Sequence, residues 1–154
     1  MKASLVAGLI LCLLAAASDQ TETTRWNAVK DSKGVCQITV PPGWVPLSES
    51  SGAAVFHDAT TAIAVVTSQP GQAFRPLPES MVKLLDLPKG KLFENTAKRI
   101  FYQEKTSRNA DDTSAYSISV PVKGGTCSCR IVFLPSIPEE VARKIATSLG
   151  PVPD

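Results

Sequence analysis

Ala115-Tyr116-Ser117-Ile118-Ser119-Val120-Pro121-Val122-Lys123-Gly124-Gly125-Thr126-Cys127-Ser128-Cys129-Arg130-Ile131-Val132-Phe133-Leu134 decides the fold. Two runs with a strand's two-residue period flank a Gly-Gly pair, and glycine supplies the positive φ of a two-residue hairpin turn. Counting outward from a turn at Gly124-Gly125 pairs Val122 with Cys127, Val120 with Cys129, Ile118 with Ile131 and Tyr116 with Phe133. Every residue on that face is apolar. Ser117, Ser119, Ser128 and Arg130 fall on the other, so the hairpin lays one side on a core and leaves one polar. Pro121 has no N–H to donate and belongs where its strand faces away from its partner.

The flanking sequence supplies what the hairpin packs against. Ser136-Ile137-Pro138-Glu139 has the form of a helix capping box, and Gly150-Pro151 ends the run. Between them Ile137, Val141, Ile145 and Leu149 recur every four residues, a stripe for docking on a sheet. Upstream, Gly34 to Val40 alternates with Cys36, Ile38 and Val40 on one side, and Pro41-Pro42-Gly43 stops it. Ala53–His57 and Ala62–Thr67 read as two antiparallel strands joined at 58–61. Gln69 to Pro78 is rich in proline and is the longest irregular segment. Glu79 to Leu87, with Met81, Val82, Leu84 and Leu85, predicts a short helix ended by Pro88 and Gly90. Ala97 to Lys105 predicts a further strand. The class is α+β: an antiparallel sheet flanked by a short middle helix and a C-terminal helix.

Val40-Pro41-Pro42-Gly43-Trp44, the short strands after it, the late hairpin and the closing helix ending Ala146-Thr147-Ser148-Leu149 together resemble the Mog1/PsbP-like sandwich superfamily. The resemblance spans roughly Trp26 to Leu149. Members range from photosystem assembly to binding of a small GTPase, so it implies a fold and a non-enzymatic binding habit. No functional residue of that superfamily transfers to a position here.

The N-terminus predicts export. Met1-Lys2 is a basic start, Leu5 to Leu14 an apolar stretch, and Ala15, Ala16, Ala17 and Ser18 the small residues that signal peptidase requires. The uncharged run from Ala3 to Ser18 is 16 residues, short of the roughly 20 that cross a bilayer. A lipoprotein cut before Cys12 would need a small residue where Leu11 stands. The expected organisation is a signal peptide at 1–18, a flexible leader at 19–25, one domain at 26–150 and a tail at 151–154. No stable membrane insertion is expected after cleavage.

The 154 residues carry 16 Lys+Arg and 14 Asp+Glu, and losing Lys2 makes the balance 15 to 14. Nothing in that demands an anionic partner. The densest basic stretch, Lys83 to Arg108, is diluted by Asp86, Glu94 and Glu104, so nucleic acid is not an expected partner.

Cleavage removes Cys12 and leaves Cys36, Cys127 and Cys129. All three lie on apolar strand faces, and two such thiols pair in an oxidising compartment. The expectation is Cys36 bonded to Cys127 or to Cys129, with one thiol packed as a small hydrophobe. The alternative is a thiol redox or soft-metal-handling protein using the three cysteines, with His57 or a methionine completing a metal site.

Enzymatic readings fare poorly. His57 is the only histidine, and its neighbour Asp58 points to the opposite face of a strand. Asp111-Asp112 and Glu139-Glu140 are explained by a polar turn and a helix start. G-x-S-x-G, phosphate-loop and H-E-x-x-H motifs do not occur, and no cofactor is expected. The leading expectation is an exported, non-catalytic binding or accessory protein whose partner is another extracytoplasmic protein. Its contact region is the 69–78 loop with the nearby sheet surface, the binding candidates being Phe74, Arg75 and Trp44.

Overall fold

The computed structural model describes residues 25–47, 53–58, 60–85, 87, 91–104 and 113–153. The predicted signal peptide, all but the last residue of the leader, and Asp111-Asp112 lie outside them. Ten strands and two helices follow one another: β1 (Asn27–Lys30), β2 (Cys36–Val40), β3 (Val45–Pro46), β4 (Ala54–Asp58), β5 (Ala62–Pro70), α1 (Glu79–Leu84), β6 (Leu92–Asn95), β7 (Ile100–Gln103), β8 (Ser114–Val122), β9 (Gly125–Phe133), α2 (Glu139–Thr147) and β10 (Gly150–Pro151). Seven form one antiparallel sheet in the order β3-β4-β5-β9-β8-β7-β6, and β1-β2-β10 form a second, small sheet.

The β8–β9 hairpin has the predicted faces. Tyr116, Ile118, Val120, Cys127, Cys129, Ile131 and Phe133 are all buried, while Arg130 is exposed. Its register differs by two residues, which keeps the faces: Val120 pairs with Cys127, Ile118 with Cys129 and Tyr116 with Ile131. The turn is Lys123-Gly124, with Gly124 at φ +79°. Gly125 instead opens β9, opposite Pro70 of β5. A Cβ at Gly125 would stand 2.5 Å from the Gln69 carbonyl oxygen. The two glycines thus serve different needs, one a backbone angle and one a close approach between strands. In a two-residue hairpin the Val122/Gly125 pair is hydrogen-bonded and Pro121/Thr126 is not, so Pro121 turns its missing donor away from β9. On that other side β7 ends at Ile100, opposite Ser119.

Other boundaries shift for physical reasons. β5 runs on to Pro70 because β9 offers it a partner as far as Gly125, so the irregular stretch begins at residue 71 rather than 69. α1 stops at Leu84, three residues short of the expected end, and buries none of its side chains. The strand expected at 97–105 begins at Ile100, since 96–99 form a turn back from β6: Thr96 N–H donates to the Arg99 carbonyl. The capping box does not form. Pro138 is the N-cap of α2 and no side chain caps it, while the Glu139 carboxylate accepts the Tyr116 hydroxyl instead. The buried face of α2 is Ala142, Ile145, Ala146 and Leu149, with Val141 and Ile137 packed at its margin. Gly150 and Pro151 pair with Gln37 and Cys36, so residue 151, the expected start of the tail, completes the small sheet.

One face of the large sheet carries the core. α2 and β2 pack there, with Cys36, Ile38 and Val40 turned toward it. Cys36 is disulfide-bonded to Cys127, Cα to Cα 5.7 Å, across 91 residues of chain. A loop of that length makes the crosslink worth up to about 4 kcal/mol in the chain-entropy account. Ser148 Oγ accepts the Thr39 N–H at 2.8 Å, fixing the end of α2 to β2. Arg143 lies 4.4 Å over Phe93, and Lys144 4.1 Å over Trp26, so both cations cover aromatic faces.

Gly125→Ala should cost about 3 kcal/mol, because backbone atoms of β5 must retreat. Gly124→Ala should cost about 1 kcal/mol for its left-handed angle alone. Urea unfolding of both variants ranks them; a larger loss at Gly124 would refute the close-approach assignment.

Candidate functional site

The loop after β5 folds back onto the hairpin turn. Gly71 N–H donates to the Gly124 carbonyl at 2.8 Å, and the buried Thr126 hydroxyl donates to the Gln72 carbonyl at 3.1 Å. These two bonds hold residues 71–74 beside the turn. Between them lies a recess of about 430 Å³ walled by Ala73, Phe74, Pro121 and Val122. It shares Val122, Gly124 and Gly125 with a smaller cavity of about 90 Å³ that reaches Val35, Ser68 and Lys123. The recess is the candidate groove and lies on the outer side of the hairpin end, with Pro121 and the Gln72–Thr126 bond; the smaller cavity opens on the inner side of the same turn, with Ser68 and Val35.

A buried carboxylate supports that end. Asp31, 4% exposed, closes the β1–β2 turn. Its Oδ1 accepts the N–H groups of Val35 (2.8 Å) and Cys36 (2.9 Å), and its Oδ2 accepts the Ser68 hydroxyl at 2.6 Å. Burial pushes the Asp31 carboxyl up, but the Ser68 hydroxyl and the N–H groups of Cys36, Val35 and Lys33 outweigh it and hold it below the usual carboxylate range. The ionised group thereby positions Val35 over the smaller cavity and Cys36 over Cys127.

Of the predicted binding residues, the groove gathers one and borders another. Phe74 is half-buried in its wall and Arg75 follows it, exposed. Trp44 lies elsewhere: it packs against the core just before Val45, whose rung runs through His57 and Ile63. From Ile63 to Pro70 is seven residues of β5, roughly 23 Å. Lys123, Val35 and the Asp31–Ser68 pair were not singled out in the sequence. Only the position of Lys123 in the hairpin turn signalled any of them.

The remaining chemical groups are held apart or already matched. Cys129 is 2% exposed on the inner face of β9, and burial pushes its thiol up to about 12, which leaves little thiolate for exchange at neutral pH. His57 and Asp58 both lie within β4 and alternate faces; Asp58 accepts the Thr61 hydroxyl. Phe56, beside His57, points inward with the buried thiol, so His57 and Cys129 stand on opposite sides of the sheet. Among the described residues no three His, Cys, Asp or Glu side chains cluster as metal ligands. On the outer face Glu104 takes a two-pronged contact from Arg130, with Nε and Nη2 at 2.8 and 2.6 Å, and also accepts Ser117. Burial raises Glu104, and those hydrogen bonds with the Arg130 charge bring it below the ordinary range. Among the described residues no helix is long and apolar enough to cross a membrane.

No protein-family model and no curated protein matches the chain. Solved structures do. The solution structure of cyanobacterial PsbP (CyanoP) from Synechocystis sp. PCC 6803 aligns with a TM-score of 0.54 at 11% identity, over 89% of this chain and 98% of that one. A crystal structure from Bacteroides thetaiotaomicron VPI-5482 aligns with a TM-score of 0.55 at 10% identity, over 77% of this chain. This chain spans 46% of that protein's length. The likeness is one of fold: the chain is an α+β sandwich of PsbP-like form, in agreement with the superfamily resemblance.

Two outcomes follow from the buried groups. Asp31→Asn should cost about 2 kcal/mol near neutrality. Because its folded value is depressed, that stability is present above the unfolded value near 3.9 and is lost as pH falls through the folded one. Thermal midpoints of both proteins from pH 7 to pH 2 should therefore converge in acid; a constant gap would remove the charge argument. In the oxidised, processed protein, iodoacetamide should label no thiol in the native state, one after unfolding and three after unfolding with reductant. A thiol reactive in the native state would contradict the packing of Cys129.

Proposed function

We propose that this chain is an exported, non-catalytic binding or accessory domain that holds another extracytoplasmic protein in the groove at the hairpin end. The observation that carries the reading is the groove's construction. Its apolar wall, including Phe74, is fastened to the β8–β9 turn by backbone and Thr126 bonds, and that turn joins two strands paired with each other from Val122–Gly125 to Ser114–Phe133. A contact surface built this way is preorganised, so a partner pays little to order it. Irregular loops fixed to a rigid sheet are where binding concentrates.

Two further observations support it. The described carboxylates with buried or shared positions, Asp31, Asp58, Glu104 and Glu139, each hold a structural partner. Among the described residues no oriented acid and base line the recess. Export rests on the signal-peptide pattern of residues 1–18 and is supported by the Cys36–Cys127 bond, since such bonds persist outside the reducing cytoplasm.

Site-specific photocrosslinking in cells exporting the chain tests the reading. A benzophenone amino acid introduced in place of Phe74 or Lys123 should give a discrete adduct with an extracytoplasmic protein, whereas the same probe in place of Leu84 or Ile63 should not. Adducts from Leu84 or Ile63 with none from the groove would move the contact surface elsewhere.

A further inference from the structure

The chain's cations are not distributed at random with respect to their partners. Lys83 pairs with Glu79, Arg99 with Glu94, Arg130 with Glu104 and Arg143 with Glu139. Lys91 donates to Gln103, and Lys144 covers Trp26. Among the described residues Arg25, Lys30, Lys33, Arg75, Lys98 and Lys123 have no carboxylate, side-chain hydrogen bond or ring partner.

All but Arg25 lie at one end of the fold. Lys30 ends β1, opposite Gln37, and Lys33 stands in the turn that brings Val35 to the smaller cavity. Lys123 is in the β8–β9 turn and lines the smaller cavity. Arg75 follows Phe74. Lys98 occupies the β6–β7 turn, which leaves the sheet at Ile100, opposite Ser119, and so points to the same end. Among the described residues the carboxylates nearest them are occupied: Asp31 is buried with both oxygens bonded, Glu79 is taken by Lys83 and Glu94 by Arg99. Arg25, beyond the Asn27–Val40 rung, is at the opposite end.

Unpaired cations around an apolar recess call for a partner that brings both carboxylates and apolar side chains. Resting on the reading above, we propose that the hairpin-end groove binds an acidic, extended segment of the partner protein: apolar residues enter the recess beside Phe74 and Val122, and flanking Asp or Glu side chains meet Lys33, Arg75 and Lys123. A polypeptide fits better than nucleic acid, which would ask for stacking aromatics where Phe74 is the only one in the wall. It fits better than a bilayer, because the apolar surface is recessed between the charges rather than raised above them.

The test uses the processed, oxidised protein and a short fluorescein-labelled peptide of repeating Asp-Glu-Leu, with a matched Asn-Gln-Leu peptide. Fluorescence anisotropy should show the acidic peptide bound about tenfold more tightly, a preference that fades as salt rises. The variant combining Lys33→Gln, Arg75→Gln and Lys123→Gln should lose that preference while keeping its thermal midpoint; exposed ion pairs worth up to about fivefold each sum to such a change. Equal binding of the two peptides would overturn the proposal. So would a preference for a single-stranded oligonucleotide or for vesicles of anionic lipid over the acidic peptide. If groove positions still photocrosslink to a protein partner when the acidic peptide fails, the partner's chemistry is refuted and the binding groove stands.

Discussion

The structure depends on β9 being fixed on three sides. Its edges pair with β5 and β8 along nearly their whole length, and its inner face is joined covalently to β2 through Cys127. β2 carries the rest of the second layer. It pairs with β1 and β10 and accepts the end of α2 through Thr39 and Ser148. A second layer of three short strands, two to five residues each, buries too little to hold its position by apolar area alone. The disulfide makes that layer part of the same cooperative unit, and Asp31 secures the turn next to it.

The sequence read well where one local rule acted alone. Alternation placed every inner residue of the hairpin and of β2 correctly, because a strand buried on one face must repeat with period two. It failed where two needs shared one motif. Gly124-Gly125 looks like a turn pair, but the approach of Gln69 claims Gly125 for the strand, which moves the turn by one residue and the register by two. Ser136 and Glu139 look like a capping box, but the buried Tyr116 hydroxyl claims Glu139. Burial and that carboxylate push the Tyr116 phenol up to about 12, so the bond to Glu139 survives across the physiological range. Both competitors arrive from distant sequence. β1, β3, β6 and β10 were invisible for a related reason: each is too short to show a period and exists because a neighbouring strand is there to pair with it.

The candidate site was legible in its loop and not in its construction. Proline and glycine marked 69–78 as irregular, and Phe74 as its aromatic, but the bonds from Gly71 to Gly124 and from Thr126 to Gln72 join segments more than fifty residues apart. The cysteine count left the pairing open between Cys127 and Cys129, which share a face. Register decides it. Cys127 stands on the rung of Ser68, whose hydroxyl holds Asp31, and Asp31 in turn holds the N–H of Cys36. Cys129 lies one inner position further along, between Val66 and Ile118, where a thiol serves as packing.

Net charge conceals how the surface is organised. A balance of 16 cations to 14 anions reads as neutrality, yet among the described residues ion pairing removes charge selectively: Lys83, Arg99, Arg130 and Arg143 find carboxylates, and Lys30, Lys33, Arg75, Lys98 and Lys123 at one end do not. At physiological ionic strength a charge is felt over about 8 Å, so carboxylates farther along the sheet do not offset these turns. The ionised Asp31 lies among them, but its charge is spread into three N–H groups and a hydroxyl pointed at it. Among the described residues, what remains at the hairpin end is a local excess of positive charge around an apolar recess, on a scaffold fixed by a disulfide and two long strand ladders. In the proposed reading this end recognises an acidic segment by position as well as by sign, because the recess wall is already fastened to the β8–β9 turn.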